Sequence, residues 1–156
     1  MNLYSLLDKS AILANLNVKD KNDLINSIID LLKNQVNSDQ LEDIRQAVFE
    51  REKIMSTGVG KNLAIPHGKV ASIEHNYAGF ATLKDPIDFD SIDGKPVTMV
   101  FLLVGPEKKN STHIKLLSRI SRLMNSTSFR ESLTQCETPD EIYEAFHQEE
   151  VRYFGN

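Results

Sequence analysis

The sequence contains a single cysteine, Cys136, so it cannot form an internal disulfide or a cysteine-based metal cluster. Its longest unbroken apolar run is the six residues from Met99 to Val104, far short of the roughly 20 residues that a membrane-spanning helix needs. The first ten residues carry no basic segment and no apolar segment of signal-peptide length. These absences predict a cytoplasmic protein with no direct membrane insertion.

Positive charge, proline and glycine are also sparse. The 18 lysines and arginines are outnumbered by 22 aspartates and glutamates, and a pI of about 5.6 argues against nucleic-acid binding, which needs a basic face. Five prolines and seven glycines mark no linker, repeat or low-complexity segment, so a single domain is expected over residues 1–156. Three of the glycines, Gly58, Gly60 and Gly68, nevertheless fall within eleven consecutive positions.

Apolar periodicity and capping residues predict five helices. Asp20 caps the first, and Thr138, followed by Pro139 and by Glu141, opens the last. The other three predicted starts are Ser38–Asp39 with Glu42 as the capping-box partner of Asp39, Ser111–Thr112, and a short helix around Phe129–Leu133.

Runs rich in aliphatic and aromatic residues predict strands at Ala11–Val18, Tyr77–Leu83 and Val97–Val104. The segment Asp85–Pro96 is expected to be mostly turn, and Ser56–Val70 a loop with a short extended piece. Helices mixed with apolar strands in this order favour an α/β fold, with a sheet covered by helices.

The glycine-bearing segment fits neither of two common nucleotide-binding motifs. A phosphate-binding loop of the Walker A type needs glycine where Met55 stands and serine or threonine where Asn62 follows Lys61. The dinucleotide motif needs a third glycine where Leu63 stands.

The remaining feature of this segment is the tripeptide Pro66-His67-Gly68. Proline fixes its own φ and pushes the preceding Ile65 towards extended geometry, so His67 is rigidly presented, while Gly68 permits close backbone approach. A neutral imidazole is a competent nucleophile near pH 7, and amides of a glycine loop bind oxyanions. Two interpretations stay open at this point: phosphate chemistry at His67, or a histidine that only satisfies hydrogen bonds at a strand end.

The run STGVGKNLAIPHG, which ends at Gly68, resembles the signature of the fructose/mannitol-type IIA domains of the bacterial phosphoenolpyruvate-dependent sugar phosphotransferase system. The pair Arg51-Glu52 stands where that family has an Arg-Glu pair, and Phe89–Val97 is similar to its F-D-x-I-D-x-x-P-V turn. His113 matches a second family histidine that opens a helix. Among such domains the chain most resembles the free-standing nitrogen-regulatory branch.

This resemblance implies a mixed, mainly parallel β-sheet between helices, and a histidine that carries a phosphoryl group. It implies that His67 is phosphorylated, that His113 stabilises or orients the phosphoryl group, and that Arg51 neutralises its charge. Further donors are expected from a phosphate cradle of Ser56, Thr57, Gly58 and Gly60. No metal or other cofactor is implied, because the phosphohistidine donor is already activated.

The implied donor is the carrier HPr or an HPr-like protein. In the regulatory branch the output is the binding of target proteins, whereas a sugar-specific IIA component passes the phosphoryl group to a IIB component in sugar uptake. A third alternative is a scaffold that keeps the fold without phosphorylation, which the combination of Arg51, His67 and His113 disfavours. One departure from the family pattern is Asn62, at a position often held by glycine, where asparagine also tolerates a left-handed backbone.

Overall fold

Residues 2–155, which a computed structural model describes, form one mixed sheet of six strands with five helices packed against it. The strands are β1 (Leu7–Leu16), β2 (Gly58–Gly60), β3 (Leu63–Ala64), β4 (His67–Val70), β5 (Tyr77–Ile87) and β6 (Val97–Pro106). The helices are α1 (Lys21–Asp30), α2 (Ser38–Ile54), α3 (Asn110–Met124), α4 (Thr127–Gln135) and α5 (Pro139–Phe154). No helix in this part of the chain has the length and apolar character that crossing a membrane requires.

The strand order is β1-β5-β6-β3-β2, and β4 pairs with β6 beyond the end of β3. The pairs β1/β5, β3/β6 and β4/β6 are parallel, whereas β2/β3 and β5/β6 are antiparallel. The expected mixed, mainly parallel sheet is therefore confirmed. Both β3 and β4 run along the edge of β6 that β5 leaves free, so they act as one interrupted strand.

Strand β6 is the centre of the core. Because side chains alternate along a strand, its residues serve both faces of the sheet. Val100, Leu102 and Val104 belong to the cluster packed with α1 and α2, while Phe101 and Leu103 belong to the cluster packed with α3, α4 and α5. All five are fully buried, which accounts for the continuous apolar run in the sequence.

The predicted caps are confirmed at two helices and wrong at a third. Asp20 accepts a hydrogen bond at the start of α1, and Thr138 does so at the start of α5. For α2 the capping box is formed by Asn37 and Gln40 rather than by Asp39 and Glu42. Asparagine is as good an N-cap as aspartate, and the start one residue earlier gives the helix a complete reciprocal pair.

The extent of the strands also differs from the expectation. β1 begins at Leu7 rather than Ala11, and β5 continues to Ile87, into the segment expected to be turn. The segment 56–70 contains three short strands where a loop with one extended piece was expected. Strands of two to four residues are too short for their sequence pattern to show, because they are held by pairing with β6 rather than by their own propensity.

Strands β2 and β3 are joined by a tight turn at Lys61 and Asn62, both with left-handed backbone (φ 59° and 63°). Two consecutive positive φ values are typical of the hairpin turn whose twist matches that of its strands. The side chain of Asn62 also donates from Nδ2 to the Pro96 carbonyl, at 2.8 Å. The expectation that asparagine accepts a left-handed conformation here is confirmed.

Replacement of Asn62 by valine should destabilise the protein by about 2 kcal/mol relative to replacement by glycine, because a β-branched residue is strained at positive φ. Urea unfolding of both variants measures the difference. The same two substitutions at exposed Asn34, which has no positive φ, form the control pair and should differ much less. Equal stability of Asn62→Val and Asn62→Gly would contradict the strain argument.

Candidate functional site

The first candidate site residue, His67, begins β4 directly after the interruption at Ile65-Pro66. Pro66 has no N–H to donate, so the ladder cannot continue through it, but its carbonyl accepts from the Leu103 amide at 3.1 Å. His67 then pairs with Leu103 itself. The proline therefore ends β3 and restarts β4 with the imidazole in a defined place.

Gly68 allows helix α2 to pack directly on β4. A Cβ at Gly68 would lie 3.3 Å from the Cβ and carbonyl carbon of Ala47 and from the amide nitrogen of Val48. Arg51 lies one helical turn beyond Ala47 on the same face of α2. The predicted close backbone approach is thus confirmed, and it brings Arg51 to the same cleft as His67.

The hydrogen bond of His67 determines which of its nitrogens is free. Nδ1 lies 2.8 Å from the Ile65 carbonyl oxygen. A carbonyl only accepts, so Nδ1 carries the proton and Nε2 has a free lone pair. Burial lowers the pKa of His67, and the Ile65 carbonyl opposes that effect. The positive charges of Arg51 and Lys69 lower it further, so the ring is neutral at physiological pH.

His113 lies on the first turn of α3 and faces His67, with 5.7 Å between ring centroids and 47° between ring planes. Its side chain is buried, with 4% of its surface exposed. Burial, assisted by the charges of His67 and Lys69, lowers the pKa of His113 to about 4. This second ring is therefore a neutral hydrogen-bonding group rather than a cation.

The two histidines and Arg51 line one cleft of about 580 Å³, which lies between α2, β4 and the start of α3. Four charged or polar residues that sequence reasoning missed also line it, namely Glu50, Lys69, Glu107 and Asn110. Lys69 stands two residues after His67 in a strand, which places both on one face, and its Nζ donates to Asn110 Oδ1 at 2.8 Å. That period of two was the available signal, but it required β4 to be recognised as a strand.

The residues expected to form a phosphate cradle do not line this cleft, and several of their donors have other partners. The hydroxyl of Ser56 donates to the Phe89 carbonyl and accepts from the Gly58 amide. The amide and hydroxyl of Thr57 both donate to Glu52, and Gly60 belongs to the β2–β3 hairpin. A cradle role for Ser56, Thr57, Gly58 and Gly60 would require some of these bonds to break, and it stays a prediction.

Glu52 has a structural role that sequence reasoning did not assign. It is buried at the end of α2, where it accepts both hydrogen bonds of Thr57 and forms an ion pair of 3.1 Å with Lys21 Nζ. A buried carboxylate is tolerated only when it is paired and hydrogen-bonded in this way. The cluster ties α1, α2 and the entry to β2 together directly after Arg51, which fixes the end of the helix that carries it.

Comparison with known proteins agrees with this arrangement. The model of the family described as phosphoenolpyruvate-dependent sugar phosphotransferase system, EIIA 2, matches residues 5–149. The chain belongs to this IIA family.

Relatives of both expected kinds are found. Over 148 residues the IIA domain is 33% identical to the fructose-specific EIIABC component of Bacillus subtilis, which covers 95% of this chain but only 23% of that protein. Over 102 residues it is 44% identical to the nitrogen regulatory protein of Bradyrhizobium diazoefficiens, which covers 63% of this chain and 67% of that protein. The crystal structure of the nitrogen regulatory protein IIA-Ntr from Neisseria meningitidis has a TM-score of 0.86 at 31% identity, covering 92% and 98% of the two chains.

The low pKa of His113 predicts that the IIA domain loses stability as the pH falls from about 6.5 to about 4. In that window the unfolded chain binds a proton at His113, whose ordinary pKa is about 6.5, and the folded protein does not. The contribution is at most about 3 kcal/mol, and His113→Gln should remove it.

Urea unfolding across this pH range, in the wild type and in His113→Gln, measures the effect as the difference between the two curves. The exposed His75→Gln variant is the matched control and should follow the wild type. Parallel pH dependences for wild type and His113→Gln would show that His113 titrates normally in the folded state.

Proposed function

We propose that Nε2 of His67 accepts a phosphoryl group from a phosphohistidine on HPr or an HPr-like carrier, and that the protein acts as a regulatory phosphocarrier of the nitrogen-regulatory type. The observation that carries this proposal is the bond from Nδ1 of His67 to the Ile65 carbonyl, which leaves a neutral ring with a free Nε2 in the cleft. Membership of the IIA family supports the same chemistry. The reaction partners are other proteins of the cytoplasm, and no cofactor takes part.

The transfer exchanges one nitrogen–phosphorus bond for another. The lone pair of Nε2 attacks the phosphorus atom, the bond between phosphorus and the donor imidazole breaks, and the electron pair returns to the donor ring. No proton has to leave His67 first, because Nε2 carries none. The protein's task is therefore to position the ring and to stabilise the charge of the phosphoryl oxygens.

Positive groups surround the position that the phosphoryl group would take. Arg51 supplies a guanidinium whose donors suit a bidentate contact with phosphoryl oxygens, and Lys69 adds a second charge. The start of α3 lies at the same cleft, and its N-cap residue Lys109 makes no side-chain capping bond. Uncapped amides at a helix N-terminus attract anions, so this helix end favours the phosphorylated state. His113 is the proposed neutral hydrogen-bond donor.

The regulatory output is favoured by the similarity to nitrogen regulatory proteins, in sequence and in a fold that overlaps nearly whole chains. One observation supports a second candidate function, a sugar-specific IIA component that passes its phosphoryl group to IIB. That observation is the 33% identity with a fructose-specific protein over almost the entire chain. Both functions require the same phosphorylated His67 and differ only in the acceptor.

Incubation with phosphoenolpyruvate, Enzyme I and HPr should place one acid-labile phosphate on the wild-type protein and none on His67→Ala, because only His67 offers a free Nε2 in the cleft. Intact-protein mass spectrometry before and after acid treatment measures this. His75→Ala, at an exposed position away from the cleft, is the control and should be labelled fully. Labelling of His67→Ala would contradict the assignment.

The regulatory output predicts that phosphorylation of His67 changes which target protein is bound, because a phosphoryl dianion alters the charge of the cleft. Pull-downs with wild-type protein in its phosphorylated and unphosphorylated forms, with His67→Ala in parallel, measure this dependence. His67→Ala should behave like the unphosphorylated form under both conditions. Recovery of a sugar-specific IIB alone, with transfer of the phosphoryl group to it, would replace the regulatory proposal by the sugar-uptake alternative.

A further inference from the structure

Two buried polar atoms beside the cleft have no hydrogen-bond partner among residues 2–155. They are Oδ1 of Asn76, which directly precedes β5, and Nδ1 of His113. Buried side-chain nitrogens and oxygens are nearly always hydrogen-bonded in native proteins, so two such atoms in one region require an explanation. Neither belongs to the contacts described above for His67.

Gly105 brings these two atoms to the same point. A Cβ at this position would overlap Oδ1 of Asn76 and would lie 3.5 Å from Nδ1 of His113. Val104 pairs with Tyr77 in the antiparallel ladder, so Asn76 and Gly105 stand opposite each other just past that pair. The missing side chain of Gly105 therefore leaves the space in which the carboxamide of Asn76 approaches the His113 ring.

The direction of a hydrogen bond between these groups decides where the proton of His113 lies. The ring is neutral, so only one of its nitrogens carries hydrogen. If Nδ1 donated to Oδ1 of Asn76, the bare lone pair of Nε2 would face a phosphoryl anion and repel it. The two ends of a carboxamide have the same shape, and half a turn of this group presents Nδ2–H to Nδ1 instead. Nε2 then carries the proton and can donate it.

We propose that Asn76 is a positioning residue whose carboxamide N–H donates to Nδ1 of His113, which keeps the ring proton on Nε2 for the phosphoryl group of His67. This inference rests on the proposed phosphorylation of His67 for its consequence, but the proton position itself is a property of the unphosphorylated protein. Gly105 is part of the device, because any side chain there would displace the carboxamide.

The sharpest variant is Asn76→Asp, which keeps the shape but replaces the N–H donor by a carboxylate that only accepts. Long-range ¹⁵N–¹H NMR correlations of the histidine rings show which nitrogen carries the proton. We expect His113 with Nε2–H in the wild type and with Nδ1–H in Asn76→Asp. Asn34→Asp, the same change at an exposed position, is the control and should leave the His113 signals unchanged.

The kinetic arm compares phosphoryl uptake from phospho-HPr at about pH 8.5, where His113 is neutral in both proteins. Asn76→Asp should be slower by about tenfold to a hundredfold, since it loses one donor to the transferred group. Nδ1–H in the wild type, an unchanged proton position in Asn76→Asp, or equal rates would each overturn the inference. A wild-type protein that takes up no phosphate would contradict the proposed function instead, and the NMR result would still decide the position of the proton.

Discussion

The hydrogen bond from Nδ1 of His67 to the Ile65 carbonyl is the constraint on which the rest of the site depends. It is a contact within three residues, and it exists because Pro66 interrupts the strand and turns the Ile65 carbonyl out of the ladder. It fixes the ring orientation and the proton position together. The surrounding fold then has one remaining task, which is to hold the backbone of β4 against β6, and the pairing of His67 with Leu103 does this.

Space at three glycines brings the other groups to this ring. Gly68 lets α2 approach β4, and with the helix comes Arg51. Gly105 admits the side chain of Asn76 beside His113, and Gly58 admits Ser91, whose backbone and hydroxyl occupy the space of a Cβ. In each case the sheet and its neighbours pack more closely than any side chain would permit. The scarcity of glycine elsewhere is consistent with this use at points of close approach.

The sequence was sufficient to predict what is decided locally. Proline and glycine around His67 restrict the backbone by their own covalent structure, and the caps at Asp20 and Thr138 act within four residues. What could not be predicted depends on pairing between distant segments. Lys69 is recognisable as a cleft residue only when β4 is known to be a strand, and Asn76 only when Gly105 is known to face it. Glu52 likewise looks like a solvated helix residue until α1 and the segment before β2 enclose it.

The positive groups of the cleft have opposite effects before and after phosphoryl transfer. Before transfer, Arg51 and Lys69 lower the pKa of His67, so they keep the ring unprotonated and its Nε2 free to attack. After transfer, the same charges stand beside a phosphoryl dianion and stabilise it. Burial contributes in the same two senses, because it disfavours the imidazolium ion and strengthens the attraction between the cations and the phosphoryl oxygens. A single fixed arrangement of charge can therefore favour both the reactive neutral ring and its phosphorylated product, without a conformational change between them.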